Sequence, residues 1–137
     1  MEATKKKAVN GRNKGAAFER QVANEIKAVT GVECKRLIEQ YRQGNLPGDL
    51  EGEAVAGYAV ECKRYAKVQP ALLAKWRAQA LRQGLDSGKE PVLVYKADRQ
   101  PITVNRWSNE SDPSSVYEQP WLDFLGELRQ NALHRHG

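Results

Sequence analysis

The amino-acid sequence predicts a single α/β domain in the order helix, three strands, helix, strand, with a central mixed sheet and a C-terminal helix. Three observations predict it. Hydrophobic spacing switches between the helical and the strand period along the chain. A length of 137 residues with 40% hydrophobic content is enough for one ordinary core and too little for two. Gly and Pro punctuate the changes of period.

Taken in order, residues 1–13 are basic and polar without periodicity and read as a flexible tail, leaving 14–137 as the domain. From Gly15 to Thr30, Phe18, Val22, Ile26 and Val29 are spaced as one helical face, and Gly31 is a stop signal. Three strands follow, Val32 to Ile38, Asp49 to Val55 and Tyr58 to Tyr65, separated by Gly44-Asn45, Pro47-Gly48 and Gly57, and they suggest a three-stranded meander. Pro70 opens a second helix whose apolar face carries Leu72, Leu73, Trp76, Ala80 and Leu81, with Gly84 as its expected end. Residues 91–96, Pro-Val-Leu-Val-Tyr-Lys, read as a strand covered on both faces, and Ile102 to Trp107 as another. Ser108 to Pro120 reads as a loop. Trp121 to Leu133 returns to helical spacing, and its apolar stripe, with Trp107, Trp121, Phe124 and Leu125 as candidates for core or interface, is better explained as core.

Charge is unevenly spread. Residues 1–82 hold 16 Lys/Arg against nine Asp/Glu, and residues 83–137 hold six against eight, within a net +5. Such asymmetry fits a polyanionic partner, because cations that contact phosphates release counterions. No apolar run could span a bilayer and no signal peptide is evident, so the expected place is the cytoplasm, with no membrane partner. Cys34 and Cys62 make no zinc spacing and read as small buried hydrophobes.

Hydrolysing a phosphodiester requires a cation on the phosphate, a way to orient hydroxide and help for the departing oxygen. Carboxylates holding magnesium supply these. Glu-x-Lys occurs at Glu25, Glu33 and Glu61. The first lies in a helix, where residues two apart diverge, and the second has no Asp before it. Only Glu61 and Lys63 follow an upstream Asp, Asp49, and strand alternation puts them on one face while Val60 and Cys62 face the other. Two neighbouring carboxylates repel unless a divalent cation lies between them. Glu19, one position from Phe18, sits at the apolar edge of the first helix, as a salt-bridge partner, a boundary residue or a member of the site.

The run Lys14-Gly15-Ala16-Ala17-Phe18-Glu19-Arg20, then Arg36, Gly48-Asp49 and Val60-Glu61-Cys62-Lys63, resembles the PD-(D/E)xK nuclease superfamily. Within it the run resembles the archaeal-type Holliday-junction resolvases and their phage counterparts. The likeness covers roughly residues 12–83, and Gly48 stands where the family usually has Pro. The resemblance implies that Asp49, Glu61 and the Cys62 carbonyl bind Mg2+, with Mn2+ able to substitute. It further implies that Lys63 positions or activates water and that Glu19 completes the metal site. No small-molecule cofactor is expected.

Lys14, Arg20 and Arg36 match basic positions that the family uses for DNA. Lys35 and Arg64 flank the same site, and Arg12 joins Arg36 as an expected phosphate contact. Gln79 falls where several superfamily members carry a glutamine facing the site, and is otherwise an exposed helical residue. The implied activity is cleavage of four-way junctions by a homodimer, in the recombination and repair of a bacterial, archaeal or phage-infected cell. Its rivals are a superfamily nuclease acting on flaps, ends or duplex, and a non-catalytic DNA-binding module.

Overall fold

Phe18, Val22 and Ile26 recur every four residues, and that spacing fixes how the first helix sits. The computed structural model describes residues 2–37 and 48–136, with side chains from Gly15 onward. In it these three residues are buried on one face of α1 (Glu2–Thr30). The helical backbone begins at Glu2, inside the stretch that reads as a basic tail. At the other end Gly31 takes φ 73 and its N–H returns to the Lys27 carbonyl at 2.8 Å, the left-handed stop that glycine permits.

Two short strands follow, β1 (Lys35–Arg36) and β2 (Leu50–Glu51), paired antiparallel with Lys35 opposite Glu51. A separate sheet runs in the order β3 (Tyr58–Tyr65), β4 (Glu90–Ala97), β5 (Thr103–Trp107), β6 (Val116–Pro120). β3 and β4 are parallel and joined through α2 (Pro70–Ser87), while the other pairings are antiparallel, so the sheet is mixed. The chain closes with α3 (Trp121–His136).

The sheet separates two cores. Val60, Cys62, Val92, Val94 and Val104 face α1 and α3, where they meet Phe18, Val22, Ile26, Phe124 and Leu128. Leu93 faces the other way, toward Trp76, Ala80 and Leu81 of α2, with Trp107. Strand alternation thus divides β4 between two helical layers, which is why its sequence is almost continuously apolar. Trp107, Trp121, Phe124 and Leu125 are all buried within the chain, as a core helix and strand require. Among the described residues no helix is long and apolar enough to cross a membrane.

Three local expectations are corrected. The meander does not form: a 3-10 turn at Glu53–Val55 buries Ala54 and Val55 and takes the chain off the antiparallel path. Gly52, at φ 122, is pressed against the Glu33 backbone there, and β2 ends after two residues. α2 does not end at Gly84, which lies in its last turn where a Cβ would come within 2.7 Å of Pro91; the helix is capped by Gly88, at φ 70. Ser108 to Pro120 is not all loop, because β6 pairs with β5 along its whole length. β6 is an edge strand with one neighbour and no apolar alternation, so its pairing comes from β5 rather than from its own pattern.

One buried cation ties the layers together. Arg106 is 5% exposed, donates to Glu90, Gln119 and Glu127, and stacks over the rings of Tyr58 and Phe124. Burial alone would favour loss of its proton, but Glu127 and Glu90 outweigh that and raise its pKa. Burial pushes Glu127 up, yet its bonds from Arg106 and Tyr58 win and hold it below the usual carboxylate value.

Candidate active site

The site grows from the alternation of β3. Val60 and Cys62 enter the core under α1 and α3, so Glu61 and Lys63 project from the opposite face, beside their register partners Leu93 and Tyr95. Glu61 is only 4% exposed, whereas Lys63 is half-buried.

Asp49 reaches this strand through its backbone. Gly48, at φ 72, forms a parallel bridge with Val60, and the Asp49 N–H donates to the Val60 carbonyl at 2.7 Å. The Cys62 N–H in turn donates to Asp49 Oδ2 at 2.8 Å, inside a pocket where Asp49 is 4% exposed. Amide and carbonyl of one strand residue point to the same edge, so the Cys62 carbonyl lies on the edge that Asp49 occupies. The expected proximity of Asp49 to the Glu61 strand is therefore present, made by a parallel bridge instead of a hairpin.

Gly48 also explains its place in the motif. A Cβ at this position would sit 2.3 Å from the Val60 carbonyl oxygen, so only glycine allows the approach. Gly48→Ala is expected to cost about 2–5 kcal/mol, combining left-handed strain and overpacking, and to remove cleavage with it. Gly57→Ala is the control, because Gly57 has φ 88 but nothing within 4 Å of an added Cβ. It should lose stability through strain alone and keep its turnover, as thermal melts and cleavage rates would check.

Glu19 comes from α1 and accepts from Arg36 Nε at 3.0 Å, its side chain 15% exposed. Three acidic residues bear electrically on one sulfur. Burial pushes the Cys62 thiol well above its ordinary value, and the carboxylates of Asp49, Glu19 and Glu61 push it further, in that order. Three carboxylates from α1, the Asp49 segment and β3 are thus felt together at Cys62. Burial also holds Cys34 up at about 12, so both cysteines remain neutral S–H groups and act as core residues.

The donor types present suit a hard divalent cation: the carboxylates Asp49 and Glu61 and the Cys62 carbonyl, with no thiolate. Among the described residues no group of three or more His, Cys, Asp or Glu side chains is placed to hold a metal ion. An open set of one or two carboxylates is what magnesium takes, since it keeps several of its waters.

The other sequence-predicted residues are placed differently. Arg20 is exposed on α1, and Lys35 is exposed with Glu33 at 3.4 Å and Glu51 at 3.9 Å. Arg36 is held by Glu19. Arg64 falls on the Cys62 side of β3, away from Lys63, and pairs with Asp98 at 3.2 Å. Gln79 is exposed on α2. The side chains of Arg12 and Lys14 lie outside the described residues.

Sequence reasoning missed a polar network beside Lys63. Tyr95 donates to Glu118 at 3.0 Å, and Glu118 lies 3.7 Å from Arg77. Arg77 donates at 2.6 Å to Asn105, which is fully buried. Only the position of Tyr95 opposite Lys63 could have signalled it, and that depends on knowing the β3–β4 register.

Comparison with known proteins identifies a family. The family model described as "Phage putative PDDEXK endonuclease" matches residues 10–119. That span runs from α1 through most of β6 and includes Glu19, Asp49, Glu61 and Lys63. No curated protein and no solved structure gives a match. With a family model covering most of its length, the chain belongs to the phage PDDEXK endonucleases, within the PD-(D/E)xK nuclease superfamily.

Proposed function

We propose that this nuclease is a Mg2+-dependent, structure-selective DNA endonuclease that hydrolyses phosphodiesters at four-way junctions. One observation carries the chemistry: Asp49 is held by the Cys62 N–H, next in the strand to Glu61, both carboxylates are 4% exposed, and Lys63 shares the strand face of Glu61. Asp49, Glu61 and the Cys62 carbonyl hold the cation, and Mn2+ substitutes for it. When bound, the cation supplies charge neutralisation at the phosphate and makes water more acidic.

The remaining work belongs to the chain. The Lys63 ammonium donates hydrogen bonds that orient the attacking water against the phosphate. Glu19 completes the carboxylate set, and its ion pair fixes Arg36 at the same edge, where the guanidinium meets the DNA backbone. Arg12, Lys14, Arg20, Lys35 and Arg64 add sequence-independent phosphate contacts, and Gln79 supports the site from α2. The likeness of Lys14-Gly15 through Glu19-Arg20 to junction resolvases supports four-way junctions as the substrate, and cutting two opposed strands requires a homodimer. The setting is recombination or repair of DNA in the cytoplasm of a phage-infected cell.

The test is a panel of labelled four-way junction, flap, duplex and single strand, incubated with Mg2+ or with EDTA. Junction cleavage in Mg2+ alone is expected. Binding with no metal-dependent cutting would make the protein a non-catalytic DNA-binding module, and duplex cut as fast as junction would overturn the resolvase assignment. Lys63→Ala should bind junction as tightly as wild type while cleaving it at least about 10²-fold more slowly, the usual loss of one positioned donor. Near-normal turnover by that variant would place the catalytic cation elsewhere.

A further inference from the structure

Strand alternation does not stop at Lys63. Glu61, Lys63 and Tyr65 form one row on the same face of β3, each step about 6.5–7 Å along the strand. Exposure rises along the row, from Glu61 at 4% through a half-buried Lys63 to Tyr65 at 56%. The ring contacts of the described residues join Tyr58 to Phe124, Trp76 to Tyr95 and Trp121 to Phe124, and leave Tyr65 out.

The surroundings of this ring are cationic. β3 and β4 are parallel, so their C-terminal ends come together, with Arg64 beside Lys96 and Tyr65 beside Ala97. Lys63 shares the face of the ring and Lys67 and Arg99 flank its end of the strand, while Arg64, paired with Asp98, and Lys96 lie on the opposite face. Lys67 and Arg99 are exposed, and Arg99 holds the left-handed φ of 64 at the tip of the β4–β5 hairpin, where glycine would cost less. A lone exposed tyrosine is ordinary. An exposed ring two residues past Lys63, in a field of positive charge, matches the way single-stranded nucleic acid is held: cations track the backbone and an aromatic face takes a base.

We propose that Tyr65 stacks on an unpaired base next to the scissile phosphate, and that this contact makes the enzyme select DNA with a break in its stacking. The proposal rests on the nuclease reading of Glu61 and Lys63, which sets the phosphate at the inner end of the row. In continuous duplex each base is already covered by its neighbours, so its face is closed to the ring. At a branch point, flap or single strand an unstacked base is available, and unstacking has already been met by the substrate itself.

The experiment uses the full-length protein in EDTA, so that binding is read without cutting. 2-Aminopurine is placed beside the branch of a four-way junction, and at the matching position of a linear duplex. Wild type and Tyr65→Phe should quench the junction probe and leave the duplex probe unchanged. Tyr65→Ala should lose the quenching and bind the junction about 5- to 150-fold more weakly, the usual worth of one base–aromatic stack, with duplex affinity unchanged. An unaltered melting temperature in Tyr65→Ala shows that the exposed ring is not needed for folding.

Junction affinity within twofold of wild type in Tyr65→Ala, or an equal loss on junction and duplex, overturns the proposal. The same proteins are then assayed in Mg2+. A wild type that quenches the probe and never cuts removes the nuclease reading and leaves the stacking contact standing. A wild type that cuts, with Tyr65→Ala equally selective for junctions, removes the stacking proposal alone.

Discussion

Asp49→Asn is expected to lower Mg2+-dependent cleavage by at least about 10³-fold while leaving the fold intact. The replacement is nearly isosteric, and its remaining carbonyl oxygen can still accept from the Cys62 N–H, which Asp49 Oδ2 receives at 2.8 Å. What disappears is a negative charge, and an amide N–H₂ replaces an oxygen that could face a cation. A cation held at such a site provides several kcal/mol of stabilisation to the transferring phosphate, and each 1.36 kcal/mol is tenfold in rate. Stability should move the other way or not at all. Asp49 and Glu61 are each 4% exposed, so removing one charge lowers the cost of keeping two carboxylates away from water in the metal-free protein. Single-turnover rates and metal-free melting curves measure the two effects. Retained cleavage, or a fall of many degrees in melting temperature, would show that Asp49 serves the fold instead of the chemistry.

The second large effect is expected in stability. Arg106→Met removes a cation that is 5% exposed and leaves Glu90 and Glu127 facing an apolar side chain. Breaking one side of a buried ion pair costs about 3–5 kcal/mol, and the loss should lie near the low end, because both carboxylates keep access to water. For a chain of this size that is a fall of roughly 10 °C in melting temperature. Acidity provides a second readout. Glu127 is held below its ordinary value of 4.5 in the folded protein, so its contribution is complete above that pH and is lost as pH falls through the depressed value. The wild type should therefore lose stability in that acidic window, and Arg106→Met should lose less of it there. Cleavage by the variant at low temperature should stay close to wild type, since Arg106 lies in the core shared with α3 and away from the Glu61 face of β3.

These two residues show what a sequence can and cannot reveal. β3 was legible from end to end, because Tyr58–Tyr65 alternates and its boundaries are set by Gly57 on one side and the approach to Pro70 on the other. Order and spacing single out Asp49 with Glu61 and Lys63, and the family match spans that segment. The way Asp49 arrives was not. A parallel bridge through Gly48 depends on where the chain goes after β2, and no local pattern encodes it. Gly84 misled for a related reason: it serves a close approach to Pro91, and helix propensity sees only a breaker. Arg106 gave no signal, since its acidic partners stand 16 and 21 residues away and are brought in by β4 and α3. β6 was hidden because an edge strand borrows its order from its neighbour.

The closing helix has a consequence in time. Phe124 and Leu128 of α3 fill the core that lies under Val60 and Cys62, and Trp121 Nε1 reaches back 2.9 Å to Glu25 of α1. The family match ends at residue 119, just before this helix begins. During synthesis the strand bearing Glu61 and Lys63 leaves the ribosome about sixty residues ahead of the helix that seals its inner face, at roughly 5–20 residues per second. For those seconds the acidic and basic residues of β3 have no rigid bed beneath them, so the ordering of the site waits on α3.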